Sequence, residues 1–184
     1  MRDYDLFAAV VAVLRAGMAM DAATLYVGQN NQPRTAGRPD RRALLLDKIG
    51  PDHRYGHVKR EDVPDPLNPL QMIHRETQIY ETTIQVSTLA KPPPVTGALD
   101  VNEPTAADLA NQAAAVMQSD ATIVALRTLG IGILRITDVR TPHFRNDRDQ
   151  FEAAPNFDFV LTHKQITVTT TPAAIVGELV VARV

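Results

Sequence analysis

His53 and His57 stand four residues apart with Asp52 beside the first, and they come nearest in this chain to metal-ligand spacing. On one face of a helix, two imidazoles and a carboxylate would suit a zinc-like ion. Pro51 precedes them and Gly56 lies between them, so the segment reads as a solvated loop instead. A metal-dependent enzyme using His53, His57 and Asp52 is therefore kept only as an alternative behind structural readings. Of the two serines, Ser87 falls in a strand-like run and Ser119 at a helix cap, and neither sits in the Gly-x-Ser-x-Gly turn that exposes a nucleophile. The chain has no cysteine, which excludes disulfides, thiolate metal sites and a cysteine nucleophile. His143 and His163 have no second histidine at ligand spacing, and His163 continues the parity of Phe157, Phe159 and Leu161 into a structural or edge position. Gly130-Ile131-Gly132 follows a helical pattern instead of opening one, the reverse of a phosphate-cradling loop, and reads as a helix stop. No catalytic residue, cofactor site or metal site is assigned, and the chain reads as a non-enzyme.

The elements that would position these groups follow from periodicity. Leu6, Val10, Val13, Leu14 and Gly17 recur at helical spacing, with Phe7 and Val11 widening the stripe, which predicts an amphipathic helix over residues 3–20. Residues 24–28 read as a short strand. Residues 35–68 are rich in Pro, Arg and Asp apart from the apolar island 43–46, and read as a long excursion, a hairpin or a loop. Residues 71–89 are dense in β-branched and aromatic side chains and predict one extended strand, twisted or bulged because apolar residues fall on both parities. Pro104 and Thr105 with Asp108 mark a helix start. Ser119 or Asp120 supplies a second cap, which predicts two tandem helices split near Ser119, the second ended by Gly130. Strands are expected at 131–139, 156–170 and 174–184.

The implied fold is α+β: a single domain with about three helices on one side of a mostly antiparallel, mixed sheet. Its 184 residues suffice for one sizeable core. With 19 basic and 21 acidic side chains the formal charge is −2, which gives no global electrostatic reason to bind DNA or an anionic membrane. No apolar run approaches the roughly 20 residues that span a bilayer, and the N-terminus lacks a convincing signal-peptide pattern. The chain is expected to be soluble.

Two surfaces invite a contact reading. Four of the five Phe residues, Phe144, Phe151, Phe157 and Phe159, fall between residues 121 and 171, where they serve packing or a contact surface. Beside them Arg140, Arg145, Asp147, Arg148, Asp149 and Glu152 mix both signs. These charges fit a solvated connection, in which exposed pairs contribute about 0 to 1 kcal/mol. They equally fit a subunit contact, in which complementary signs fix register. The long strand 71–89 and the apolar terminus 175–184 leave edges that a neighbouring subunit would cover by strand addition or an exchanged arm.

Several strings in order then carry a family likeness. These are Gln29-Asn30-Asn31-Gln32-Pro33-Arg34, Arg75-Glu76-Thr77-Gln78 before Tyr80-Glu81-Thr82-Thr83-Ile84-Gln85-Val86, and Gly130-Ile131 before Asp138-Val139-Arg140. Asp149-Gln150-Phe151-Glu152 before Phe157-Asp158-Phe159-Val160-Leu161 completes the set. Together they resemble the neck or tail terminator proteins of tailed phages. The resemblance spans most of the chain, and the stretch 35–68 and Pro155 depart from it. It implies a virion protein of the neck, assembled in the host cytoplasm. Such a protein caps the head-proximal end of the tail tube as a self-associated ring, typically a homohexamer, stops tube polymerisation and joins tail to head. The implied partners are further copies of the chain, the tail tube protein, a head-completion or connector protein, and a sheath protein in a contractile tail. Genomic DNA would pass through the lumen without specific binding, and no membrane is involved. A head-closure or connector role is the first alternative. The residues expected at subunit or partner contacts are Tyr80, Glu81, His143, Phe144, Arg145, Arg148, Asp149 and Phe151.

Overall fold

The structure is a computed structural model that describes residues 3–18, 24–29, 41–90, 103–145 and 151–173, with the backbone alone at 29, 143–145 and 151–153. Helix α1 (Asp3–Gly17) buries Leu6, Phe7, Val10 and Leu14, one stripe of its surface. Asp3 and Asp5 lie in its first turn and Arg15 in its last, each complementing the helix dipole. The helix ends three residues before the expected limit.

Helix α2 (Ala106–Gln118) begins with a capping box: Thr105 Oγ1 accepts from the Asp108 N–H at 3.1 Å, and Asp108 Oδ2 accepts from the Thr105 N–H at 2.9 Å. Ser119 then serves two helices. Its N–H donates to the Val116 carbonyl at 3.1 Å, closing α2, and its Oγ accepts from the Thr122 N–H at 3.3 Å, opening α3 (Asp120–Thr128). The tandem reading split at Ser119 is what the structure shows. Gly130 follows α3 at φ +75°, a conformation that costs other residues a Cβ clash.

The main sheet has six strands. They are β1 (Leu25–Gln29), β2 (Arg42–Lys48), β3 (His53–Pro64), β4 (Gln71–Leu89), β5 (Ile131–Ile136) and β8 (Asn156–Pro172). Their order is β1-β2-β4-β8-β5, and β3 pairs with the first half of β4 on the side that β2 takes further along. Among the described residues only β1 and β2 pair in parallel. Two short strands, β6 (His143–Arg145) and β7 (Phe151–Ala153), form a separate hairpin. The fold is thus a single α+β domain with a mixed, mostly antiparallel sheet. Leu44, Leu46, Ile84, Val86, Phe157, Phe159 and Leu161 meet α1, α2 and α3 in one core.

The stretch expected as an excursion carries two strands. Its apolar island Ala43–Leu46 is the buried centre of β2. The segment read as a solvated loop around His53 and His57 is β3: Gly56, at φ +70°, serves a bulge between Tyr55 and Lys59 and does not end the strand. The anticipated terminal strand 174–184 lies outside the described residues. Among the described residues, no helix is long and apolar enough to cross a membrane.

Candidate interaction surfaces

The ladder between β4 and β8 runs unbroken from Gln71↔Pro172 to Ser87↔Asn156. On the core side it is flanked by β2 and β5. Pairing with β5 stops at Ile131↔His163, and beyond that point β3, β4 and β8 continue alone as a three-stranded arm. The nine steps from His163 to Pro172 span about 30 Å at the usual rise per strand residue.

Strand parity gives the arm two unlike faces. The face continuous with the helix-covered side becomes polar: His74 Nδ1 meets Asp62 Oδ1 at 2.7 Å, its Nε2 meets Thr171 Oγ1 at 2.6 Å, and Arg60 pairs with Glu76 at 2.9 Å. The opposite face is mixed: it carries Tyr55 beside Ile79 and Val63 beside Ile73, with Ile166 and Val168 on β8, among Lys59, Glu61, Arg75 and Lys164. Ile166 and Val168 are 55% and 53% exposed.

Where the arm joins the core, a chain of polar groups crosses the sheet. Lys48 Nζ donates to Asp3 and Asp52, both at 2.9 Å. Thr82 Oγ1 donates to Asp52 Oδ1 at 2.5 Å and lies 3.0 Å from His163 Nε2. Since the hydroxyl has given its one proton to Asp52, the imidazole must be the donor to Thr82, which fixes the Nε2–H tautomer. Tyr80 stacks on His163 with ring centroids 5.9 Å apart. Burial works against an ionised Asp52, but the Thr82 hydroxyl and the Lys48 ammonium outweigh it and hold the carboxyl below its usual range. Burial pushes His163 down despite the nearby Asp52 carboxylate. Thr82 is fully buried and the His163 ring nearly so, which makes the chain a joint of the fold. Its members are 30 and 81 residues apart in sequence. The buried parity of His163 was the one sign of it.

The far end of the ladder presents the β6–β7 hairpin. The stalk is clamped: the Thr137 N–H donates to the Asp158 carbonyl at 2.8 Å, and Arg140 and Asn156 exchange two backbone bonds at 2.8 Å each. Arg140 also pairs with the Asp158 carboxylate, to which Gln85 donates at 3.0 Å. Asp158 thus anchors the segment Thr137–Arg140, which follows β5, to the start of β8.

The expected contact residues divide between these places. Tyr80 and Glu81 stand at the base of the arm, half-buried. His143, Phe144, Arg145 and Phe151 lie in the hairpin backbone, with Phe144 opposite Glu152 and Arg145 opposite Phe151. Arg148 and Asp149 lie outside the described residues. From His163, paired with Tyr80, to Asn156 is seven residues, about 23 Å along the strand. Tyr80 and Glu81 thus lie well along the ladder from the end where the hairpin backbone emerges. Phe157 and Phe159 are core residues, fully buried.

The metal alternative finds no support in the geometry. His53 and His57 are exposed on β3, Asp52 is engaged by Lys48 and Thr82, and no group of three or more His, Asp or Glu side chains among the described residues is placed to hold an ion.

A protein-family model described as "E217 gateway protein gp29" matches residues 5–173. The chain belongs to that family. The gateway match spans every helix and strand of the structure, from α1 to the tip of β8. A phage neck protein, the coarser of the sequence expectations, follows from gateway membership. No curated protein matches this chain in sequence.

Proposed function

We propose that this gateway-family chain is a structural protein of the phage neck. It closes as a ring on the head-proximal end of the tail tube, stops tube polymerisation and joins tail to head. The observation that carries the reading is the family match over residues 5–173. The fold is in keeping with it, since one unbroken ladder separates two ends that could each meet a different partner, the arm tip and the β6–β7 hairpin. One face would copy enough of the tube subunit's contacts to bind the last tube ring, while the other would lack the surface for adding another and would meet the head-completion protein. Head-to-tail contacts between copies that close on themselves give cyclic symmetry. The near-neutral charge of −2 suits a passage for DNA, because a strongly basic lumen would hold the phosphate backbone.

The test is electron microscopy of lysates from the parent phage carrying a stop codon at Tyr26. Overlong or unjoined tails beside DNA-filled heads support the terminator role. Tails of normal length with leaking heads assign the chain to head closure, and intact virions overturn the neck reading.

A further inference from the structure

The arm has two long edges, and they differ. The outer edge of β3 is blunted by the bulge between Tyr55 and Lys59, by the charged run Lys59-Arg60-Glu61-Asp62 and by Pro64. These are the devices by which natural sheets discourage edge-to-edge pairing. The outer edge of β8 has such residues only at its ends, Lys164 beside His163 and Pro172 at the tip. From Gln165 to Thr171 it reads Gln-Ile-Thr-Val-Thr-Thr-Thr, without charge, proline or glycine, and no described strand pairs with it beyond His163. Alternate backbone N–H and C=O groups along these seven residues point away from β4. Ile166 and Val168 stand half-exposed on one face of the same edge. Such an edge favours pairing with another extended chain over solvation.

We propose that this edge is a strand-addition site for residues 174–184 of a second copy of the chain. The pairing deepens the ring reading, resting on its self-association and not on its place in the virion. Three observations select this occupant. The run is eleven residues long, enough to cover a seven-residue edge, and carries Ile175, Val176, Leu179, Val180, Val181 and Val184 with only Glu178 and Arg183 charged. It starts at the arm tip, where the Ala173 N–H still donates to the Leu70 carbonyl at 2.7 Å, on the β4 side of β8 and away from the open edge. A tight reversal onto the chain's own edge would need Gly, Asn or Asp in the turn, and Pro172-Ala173-Ala174-Ile175-Val176 offers none before Gly177. A neighbouring copy meets no such restriction. Its run would place mostly apolar side chains beside Ile166 and Val168, interrupted by Glu178 on one parity and by Gly177 and Arg183 on the other.

The absence of cysteine makes the test clean. Full-length Val168→Cys is mixed with separately purified Leu179→Cys or Val180→Cys and treated with a short bismaleimide; adjacent strand positions face opposite sides, so one of the pair shares the face of Val168. The expected product is a crosslinked dimer of unlike chains, with no product when Val168→Cys is replaced by Val58→Cys on the β3 edge. Amide hydrogen exchange at residues 165–171 should slow as protein concentration rises. Val168→Lys, which places a charge on an exposed position, should keep the circular dichroism spectrum and weaken self-association at least about tenfold. Crosslinking within one chain of the double variant Val168→Cys/Val180→Cys at high dilution would assign the edge to the chain's own terminus and overturn the proposal. So would the absence of both crosslink and exchange protection at the highest soluble concentration. Virion morphology plays no part in these readouts, so the neck reading and the strand exchange can fail separately.

Discussion

Replacing Thr82 by Val tests whether the polar chain at the base of the arm is a structural joint. Valine keeps the shape of the side chain and its β-branching, so β4 should be undisturbed. It removes the hydroxyl that donates to Asp52 at 2.5 Å and accepts from His163 at 3.0 Å. The His163 N–H is then left in a ring that is 4% exposed, and its Nδ1 already lacks a partner among the described residues. Stranding a buried donor costs about 1 to 3 kcal/mol. Asp52 keeps Lys48 and has its side chain about a quarter exposed, at 26%, so its share is the smaller. The total should be about 2 to 4 kcal/mol, which for a chain of this size lowers Tm by about 4 to 16 °C. Urea denaturation is the assay, with the slope m unchanged so that the midpoint reports stability alone. The companion variant Thr82→Val/His163→Leu removes both partners, and should lose less than the sum of the single losses by at least about 1 kcal/mol. A loss below about 1 kcal/mol for Thr82→Val, or strict additivity in the double variant, would refute the joint.

Three further outcomes are expected. Both Asp52 and His163 have folded pKa values below their ordinary ones, so for each the unfolded chain binds the proton more readily and stability falls with falling pH. The His163 part is lost as pH drops from the ordinary histidine value of 6.5 towards the lowered folded value; the Asp52 part is lost only below the ordinary carboxylate value of 3.8. Thermal melts of His163→Leu from pH 8 to pH 5 should show a flatter pH dependence than the parent. Ser119→Ala removes the acceptor at the start of α3 and should cost about 0.5 to 2 kcal/mol by chemical denaturation. Gly17→Ala would drive a methyl group into Val116 where α1 meets α2, and should cost about 1 to 3 kcal/mol despite the better helix propensity of alanine, with the smaller companion change Val116→Ala restoring part of it.

Much of the frame was legible because it depends on local signals. Thr105 and Asp108 mark a capping box by their spacing alone, and Ser119 between two apolar stripes marks a shared cap. The parity of Phe157, Phe159, Leu161 and His163 marks the buried side of β8. The 19-residue span of β4 was readable end to end from its β-branched residues. What stayed hidden depends on pairing across the chain. His53–Pro64 is almost wholly exposed and highly charged, so it gives no hydrophobic alternation, and it is a strand because β4 offers it a ladder. Gly56 read as a breaker because its role as a bulge exists only once that ladder does. The Asp52–Thr82–His163 chain joins the β2–β3 connection to β4 and β8, which sequence distance keeps apart, and nothing in composition aligns them. The contact residues were chosen from aromatic and charged density. Unpaired edges were foreseeable from the length of the strand 71–89 and the apolar run 175–184, but which edge stays open depends on where β3 and β5 stop pairing.

The unbroken pairing of β4 with β8 also has a mechanical meaning. A pull along the arm would load every rung from Gln71↔Pro172 to Ser87↔Asn156 at once, in shear, where a pull across the strands would open them one rung at a time. A domain built around such a ladder transmits axial force from one end to the other with little give. That suits a part seated between a pressurised container and the tube through which it empties.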